Sequence, residues 1–146
     1  MIDIVPEKSK NDICFSVIDM LIELINGCDP ALNIGFEAFS DGNPEARLSI
    51  LSGGFVSERF FDGGAVIGLP FRITIRKSSG DRAASLELLH TLYEVSKKLL
   101  SCSLKETSDG ARLLSICRTS LPLQVGSFKD GTEEYASDFV LFYCLT

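Results

Sequence analysis

Glu58-Arg59-Phe60-Phe61-Asp62-Gly63-Gly64, followed closely by Leu69-Pro70-Phe71-Arg72-Ile73-Thr74-Ile75, is the stretch that decides the fold. It has the form of two strands joined by a glycine turn, because glycine supplies the positive φ that a tight hairpin turn requires. Ile67, Leu69, Phe71, Ile73 and Ile75 fall on one face of the second strand, and Arg72, Thr74 and Arg76 on the other. Such alternation predicts one packed face and one face that is wet or held against a partner. Pro70 has no N–H to give to a ladder, so it points to an edge or to the start of regular pairing.

Further strands are expected on either side. Residues 33–39 form a short run that Ser40-Asp41-Gly42-Asn43-Pro44 stops. Residues 47–51 form another, which Ser52-Gly53-Gly54 turns into a strand at 55–61, so that 45–77 is an antiparallel meander. Toward the C-terminus, 113–119 and 135–145 have strand character. The last is apolar on both faces, as a central strand is when both sides are covered or when one side meets a neighbour. Between them 120–133 is expected to be a long loop with Pro122, Gly126 and Gly131, and loops of that length are usually functional or mobile.

Two helices complete the expectation. Ile13, Val17, Met20, Leu21, Leu24 and Cys28 recur at helical spacing over 11–28, with Asn11 or Asp12 as the cap and Gly27 and Pro30 at the end. Over 81–102, Leu88, Leu92, Val95 and Leu99 form one stripe that Leu86, Leu89, Tyr93 and Leu100 widen, with Asp81 as the cap. At 1.5 Å per residue this helix is about 33 Å long, enough to cross a small sheet. The fold class is therefore α+β: a mostly antiparallel sheet of about five to six strands flanked by two main helices.

The 146 residues suit a single domain spanning 1–146. A chain of this size buries about 68–70% of its unfolded surface and needs no staples. No run is long and apolar enough to span a bilayer, and the N-terminus lacks the basic-then-apolar order of a signal peptide, so a soluble, non-secreted protein with no membrane partner is expected. Cys14, Cys28, Cys102, Cys117 and Cys144 are odd in number, widely spaced and set in apolar segments, as buried reduced thiols are. The net charge of −6 opposes wrapping of nucleic acid but suits a wall that DNA passes without sticking.

Chemistry-bearing motifs are sparse. His90 is the one histidine and sits inside the second helix, and there is no Gly-x-Ser-x-Gly elbow, phosphate loop or dinucleotide motif. Asp130, Glu133 and Glu134 crowd one segment without the spacing of a calcium loop. No catalytic, cofactor-binding or metal residue is assigned, no cofactor is expected, and the chain is not expected to be an enzyme. The charges that stand out are Glu58, Arg59, Asp62, Arg72 and Arg76, set beside Phe60 and Phe61 as a mixed aromatic and charged patch of the kind enriched at interfaces. They are the candidate subunit or partner contacts, with acidic residues of a neighbour expected opposite Arg72 and Arg76.

Arg59-Phe60-Phe61-Asp62-Gly63, Pro70-Phe71-Arg72-Ile73, the 81–102 helix, Ile116 with Pro122, and Tyr135-Ala136-Ser137-Asp138-Phe139 together resemble the tail terminator proteins of long-tailed phages. That family includes small minor capsid proteins of phages and prophages of Gram-positive bacteria. The resemblance runs from the first helix to the last strand. It implies a structural virion protein, a homo-oligomeric and usually hexameric ring that caps the tail tube, ends its elongation and presents a head–tail joining surface. The implied partners are further copies of the chain, the tail tube protein and the head connector protein. DNA passes through without specific binding. The implied location is the virion, and the host cytoplasm during assembly. Another head–tail connector or tail completion protein is the near alternative. A small-ligand-binding regulatory α+β domain is the distant one.

Overall fold

In a computed structural model, residues 7–42, 44–51, 54–59, 63–78, 82–102 and 111–145 are described, with the side chains of 7–15, 78, 82 and 145 left aside. The elements are α1 (Glu7–Cys28), β1 (Gly35–Phe36), β2 (Glu45–Ile50), β3 (Phe55–Arg59), β4 (Ala65–Ser78), α2 (Arg82–Ser101), β5 (Arg112–Arg118), β6 (Leu123–Ser127) and β7 (Thr132–Leu145). This is the expected α+β class, with a sheet of seven strands rather than five or six. Helix α1 begins earlier than expected, so Asn11 and Asp12 lie within it and do not cap it. Asp81, Phe60, Phe61 and Asp62 fall outside the described residues.

The sheet is built on two long central strands. β4 and β7, 14 residues each, pair antiparallel in unbroken register from Ala65↔Leu145 to Ser78↔Thr132. Each carries two short strands end to end on its free side. β2 and β3 both run antiparallel to β4, at 71–76 and at 65–68. β5 and β6 both run antiparallel to β7, at 139–144 and at 133–136. The 45–77 segment is therefore not the expected meander: the chain does not reverse between β2 and β3 but continues along β4 after a break.

Pro70 explains that break. Leu51 N–H donates to the Pro70 carbonyl at 3.0 Å, and proline cannot return the bond. The ladder stops there and resumes at Phe55↔Gly68. Pro70 thus sits in the middle of a central strand, not at an edge, and is tolerated because its flank is interrupted at that point. On the other side, 120–133 is not a loop. It holds β6 and a hairpin turn in which Phe128 N–H donates to Thr132 O at 2.9 Å and Gly131 takes a φ of +89°. That is a three-residue hairpin connection closed by a left-handed glycine. The break between β5 and β6 is clamped by serines: Ser137 Oγ donates to Ser120 O at 2.7 Å, and Asp138 N–H donates to Ser120 Oγ at 2.9 Å.

Both helices feed one core with a single face of the sheet. Val17, Leu21 and Ile25 of α1 and Leu88, Leu92, Val95 and Leu99 of α2 join Leu69, Phe71, Ile73 and Ile75 of β4 and Phe139 and Leu141 of β7 in one buried cluster. Phe71 and Phe139 are register partners whose rings stack 14° apart at 5.1 Å. The expected alternation of β4 holds, and so does the stripe Leu88, Leu92, Val95 and Leu99 of α2, but the expected widening does not: Leu89 is half-buried while Leu86, Tyr93 and Leu100 are exposed, because α2 packs against the sheet and α1 along one narrow stripe.

The expected strand at 33–39 shrinks to β1, two residues paired parallel to β2. Asn33 and Glu37 take left-handed φ values of +41° and +58° and end it on each side. The segment after it is tied down: Ser40 Oγ donates to Leu32 O at 2.8 Å and accepts from Ala46 N–H. Gly42 packs so tightly there that a Cβ would stand 2.1 Å from the Leu32 carbonyl oxygen. Gly42→Ala is expected to cost about 1–3 kcal/mol, since backbone must shift to admit the methyl. A urea titration reads this as a lower midpoint with an unchanged slope.

Candidate assembly face

The even-numbered residues of β4 form the second face of the sheet, and among the described residues no helix covers it. It divides into two halves. Toward β3 it is apolar: Phe55 lies over Gly68 and meets Phe142 edge-on at 6.2 Å, near Val66, Pro70 and Val140. Phe55 remains nearly half exposed. Toward β2 it is ionic, carrying Arg72, Thr74 and Arg76 with their cross-strand partners.

The ionic half is already paired within the chain. Arg72 Nε donates to Asp138 Oδ1 at 2.6 Å and its Nη2 to Oδ2 at 3.0 Å, a two-pronged contact between directly opposed residues. This hydrogen-bonded carboxylate holds the Arg72 pKa above its ordinary value. Arg76 Nε donates to Glu45 Oε2, also directly across the ladder. The acids expected from a neighbour are thus supplied by β2 and β7 of the same chain. Both pairs are more than a third exposed at the arginine, so each contributes about 0–1 kcal/mol.

The structure separates the other expected contacts. Glu58 and Arg59 are exposed on β3, whose five residues all face solvent. Glu58 is in register with Val66, six residues along β4 from Arg72, or about 20 Å. Arg72 and Arg76 share one row, and Glu58 and Arg59 stand at the opposite end of the sheet. Sequence reasoning missed Arg47 and Phe39. The Phe39 ring lies 4.5 Å from the Arg47 guanidinium and 3.9 Å from that of Arg76. The strand alternation of Arg47 with Leu48 was the available signal for Arg47. Nothing local signals Phe39, which reaches the sheet from outside β2.

The acidic hairpin serves structure. Asp130 Oδ1 accepts from Thr132 N–H at 3.0 Å within the turn, and this bond lowers the Asp130 pKa. Glu133 Oε2 accepts from Ser85 Oγ and from Tyr135 OH, tying the hairpin to α2. No group of three metal-binding side chains occurs among the described residues. His90 is exposed on α2. A cleft lined by Asp29, Lys77, Glu87 and Thr91 encloses about 100 Å³, well short of the roughly 300–1,000 Å³ of small-molecule sites. No helix among the described residues is long and apolar enough to cross a membrane.

The thiols differ in setting. Cys28 is buried and Cys102 half-buried at the ends of the two helices, and burial raises both pKa values. Cys117 is exposed on β5. Raising a thiol pKa lowers its thiolate fraction at a given pH, and the thiolate is the nucleophile. At pH 8 iodoacetamide is expected to modify Cys117 first and Cys28 and Cys102 many-fold more slowly. Peptide mass spectrometry over a time course checks the order.

No family model matches this chain, and no curated protein does. A solved structure does. A chain of the virion of the native gene transfer agent particle superposes with a TM-score of 0.59 at 15% identity, covering 90% of this chain and 99% of that one. At that identity the two share a fold.

Proposed function

We propose that this chain is a structural virion protein of a phage or prophage that closes into a ring, of six copies, on the end of a tail tube. There it stops tube growth and offers the surface that the head connector joins. The observation that carries the reading is the shared fold, over nearly the full length of both chains, with a protein of the gene transfer agent virion. A sheet face that no helix among the described residues covers, with one apolar and one ionic half, supports it, because a closed ring requires each copy to present unlike patches to its two neighbours. The net charge of −6 supports a lumen through which DNA slides, since a negative wall repels phosphates. The role is geometric and asks for no catalysis. It places the protein in the virion neck, after assembly in the host cytoplasm.

Light scattering over a concentration series, with negative-stain images of the chain alone and mixed with tail tube protein, tests this. The expected result is a ring with a central hole, free or seated on tube ends. A species that binds head connector but never tube ends would move the protein to another position in the neck. A monomer at every concentration that ignores tube ends would overturn the reading.

A further inference from the structure

The sheet ends on two strands that lie level with each other at opposite margins. Among the described residues β3 pairs only with β4 and β5 only with β7, so each keeps one edge of backbone N–H and C=O groups free. Val66 of β4 has Glu58 as its register partner on one side and Cys144 on the other, and Cys144 has Arg112 beyond it. Farther along β4, Gly68 links Phe55, through Phe142, to Ser115 in the same way. Between these two rows β4 and β7 each place one residue. β3 and β5 each place two, because each carries a bulge, between Val56 and Glu58 and between Leu113 and Ser115. The outer strands therefore differ from the inner ones in residue count but match each other. They also run antiparallel to each other, since three antiparallel pairings separate them. Laid edge to edge in the row register, they set Glu58 opposite Arg112, Ser57 opposite Leu113, Val56 opposite Leu114 and Phe55 opposite Ser115. Glu58 and Arg112 are both exposed, and neither is ion-paired among the described residues. Val56 and Leu114 are 45% and 43% exposed.

We propose that β3 of one copy of this chain adds antiparallel to β5 of the next, with Glu58 facing Arg112 and Val56 packed against Leu114. This rests on the ring reading and names the surface by which one copy joins the next. A second copy is the fitting occupant because both halves of the contact stand on this one chain. They agree in residue count and strand direction, oppose each other in charge at one end and bring together two exposed apolar side chains in the middle. Main-chain hydrogen bonds between the two free edges supply the attachment, and the side-chain pairs fix the register. The contact is heterologous, one margin of each copy against the other margin of its neighbour, so a closed ring leaves neither edge unpaired.

Two measurements test it. E58R and R112E are each expected to weaken self-assembly about tenfold or more by light scattering, because like charges then meet at every joint of the ring, and the double variant is expected to recover most of the loss. All three should keep their melting temperature within a few degrees, since both side chains are exposed. For the second, V56C chains are mixed with L114C chains, both in a C117S background that removes the exposed native thiol. Oxidised glutathione is then added; it joins two facing thiols as a disulfide, takes up their two hydrogens and leaves as two molecules of reduced glutathione. A disulfide-linked dimer is expected from the mixture and from neither variant alone. Single reversals that assemble like the wild type, losses that the double variant does not recover, or a mixture that assembles without linking each overturn the proposal and leave the ring intact. Reversals that self-assemble normally but no longer bind tube ends overturn it in favour of a strand of tube protein at this edge. If the wild type forms no assembly with or without tube protein, the ring reading has failed, and this contact fails with it.

Discussion

Phe71→Ala and Phe139→Ala are each expected to remove about 3–5 kcal/mol, enough to unfold much of a chain whose total stability lies in the usual 5–15 kcal/mol range. Both side chains are fully buried, and they stand directly opposite each other at the centre of the β4–β7 ladder. Truncating either loses the transfer energy of the ring and leaves a cavity beneath the helices that a paired sheet cannot collapse to fill. Their stacked contact at 5.1 Å adds a coupling of about 0.5–1.5 kcal/mol beyond area. Urea denaturation of the two single variants and the double variant measures it: the double should cost less than the sum of the singles by that amount. Additive costs would mean that the rings are merely neighbours in a core.

Leu92→Ala is expected to cost about 2–5 kcal/mol, or about 5–15 °C in melting temperature for a chain of this length. Leu92 is fully buried in the stripe by which α2 joins the sheet to α1. Alanine is the better helix former, so any loss comes from packing and not from the helix itself. Leu86→Ala on the same helix is the control. Leu86 is 55% exposed, and its truncation should stay within about 0.5 kcal/mol of neutral. Thermal unfolding followed by circular dichroism reads both. Equal losses at the two positions would mean that the Leu86 side of α2 is packed against something in solution.

Much of the fold was legible because β4 and α2 carry strong, unlike periodicities. Alternation placed Phe71, Ile73 and Ile75 on one face, and helical spacing placed Leu88, Leu92, Val95 and Leu99 on another, and both sets are buried. The failures have physical causes. Gly-rich residues 52–54 resemble a hairpin turn, and whether a chain bends back or steps forward there depends on the partner strand, not on the glycines. β6 escaped notice because Pro122 precedes it, Gly126 lies within it, and its apolar residues Leu123 and Val125 stay exposed, so no buried face shaped its pattern. Of the candidate face, Arg72 and Arg76 were legible as the polar side of an alternating strand. Their acids were not, since Glu45 and Asp138 belong to other strands.

The sequence by itself determined which face of β4 and which stripe of α2 would be buried, since hydrophobic periodicity acts over a few residues and each element carries its own. It took the tertiary structure to put β2 and β3 on one edge of β4 and, among the described residues, to leave the second sheet face without a helix and Arg47 without a carboxylate. Those outcomes depend on register between distant strands. Arg72 meets Asp138 across 66 residues of chain, and a slip of one position would turn every side chain of β7 to the other face.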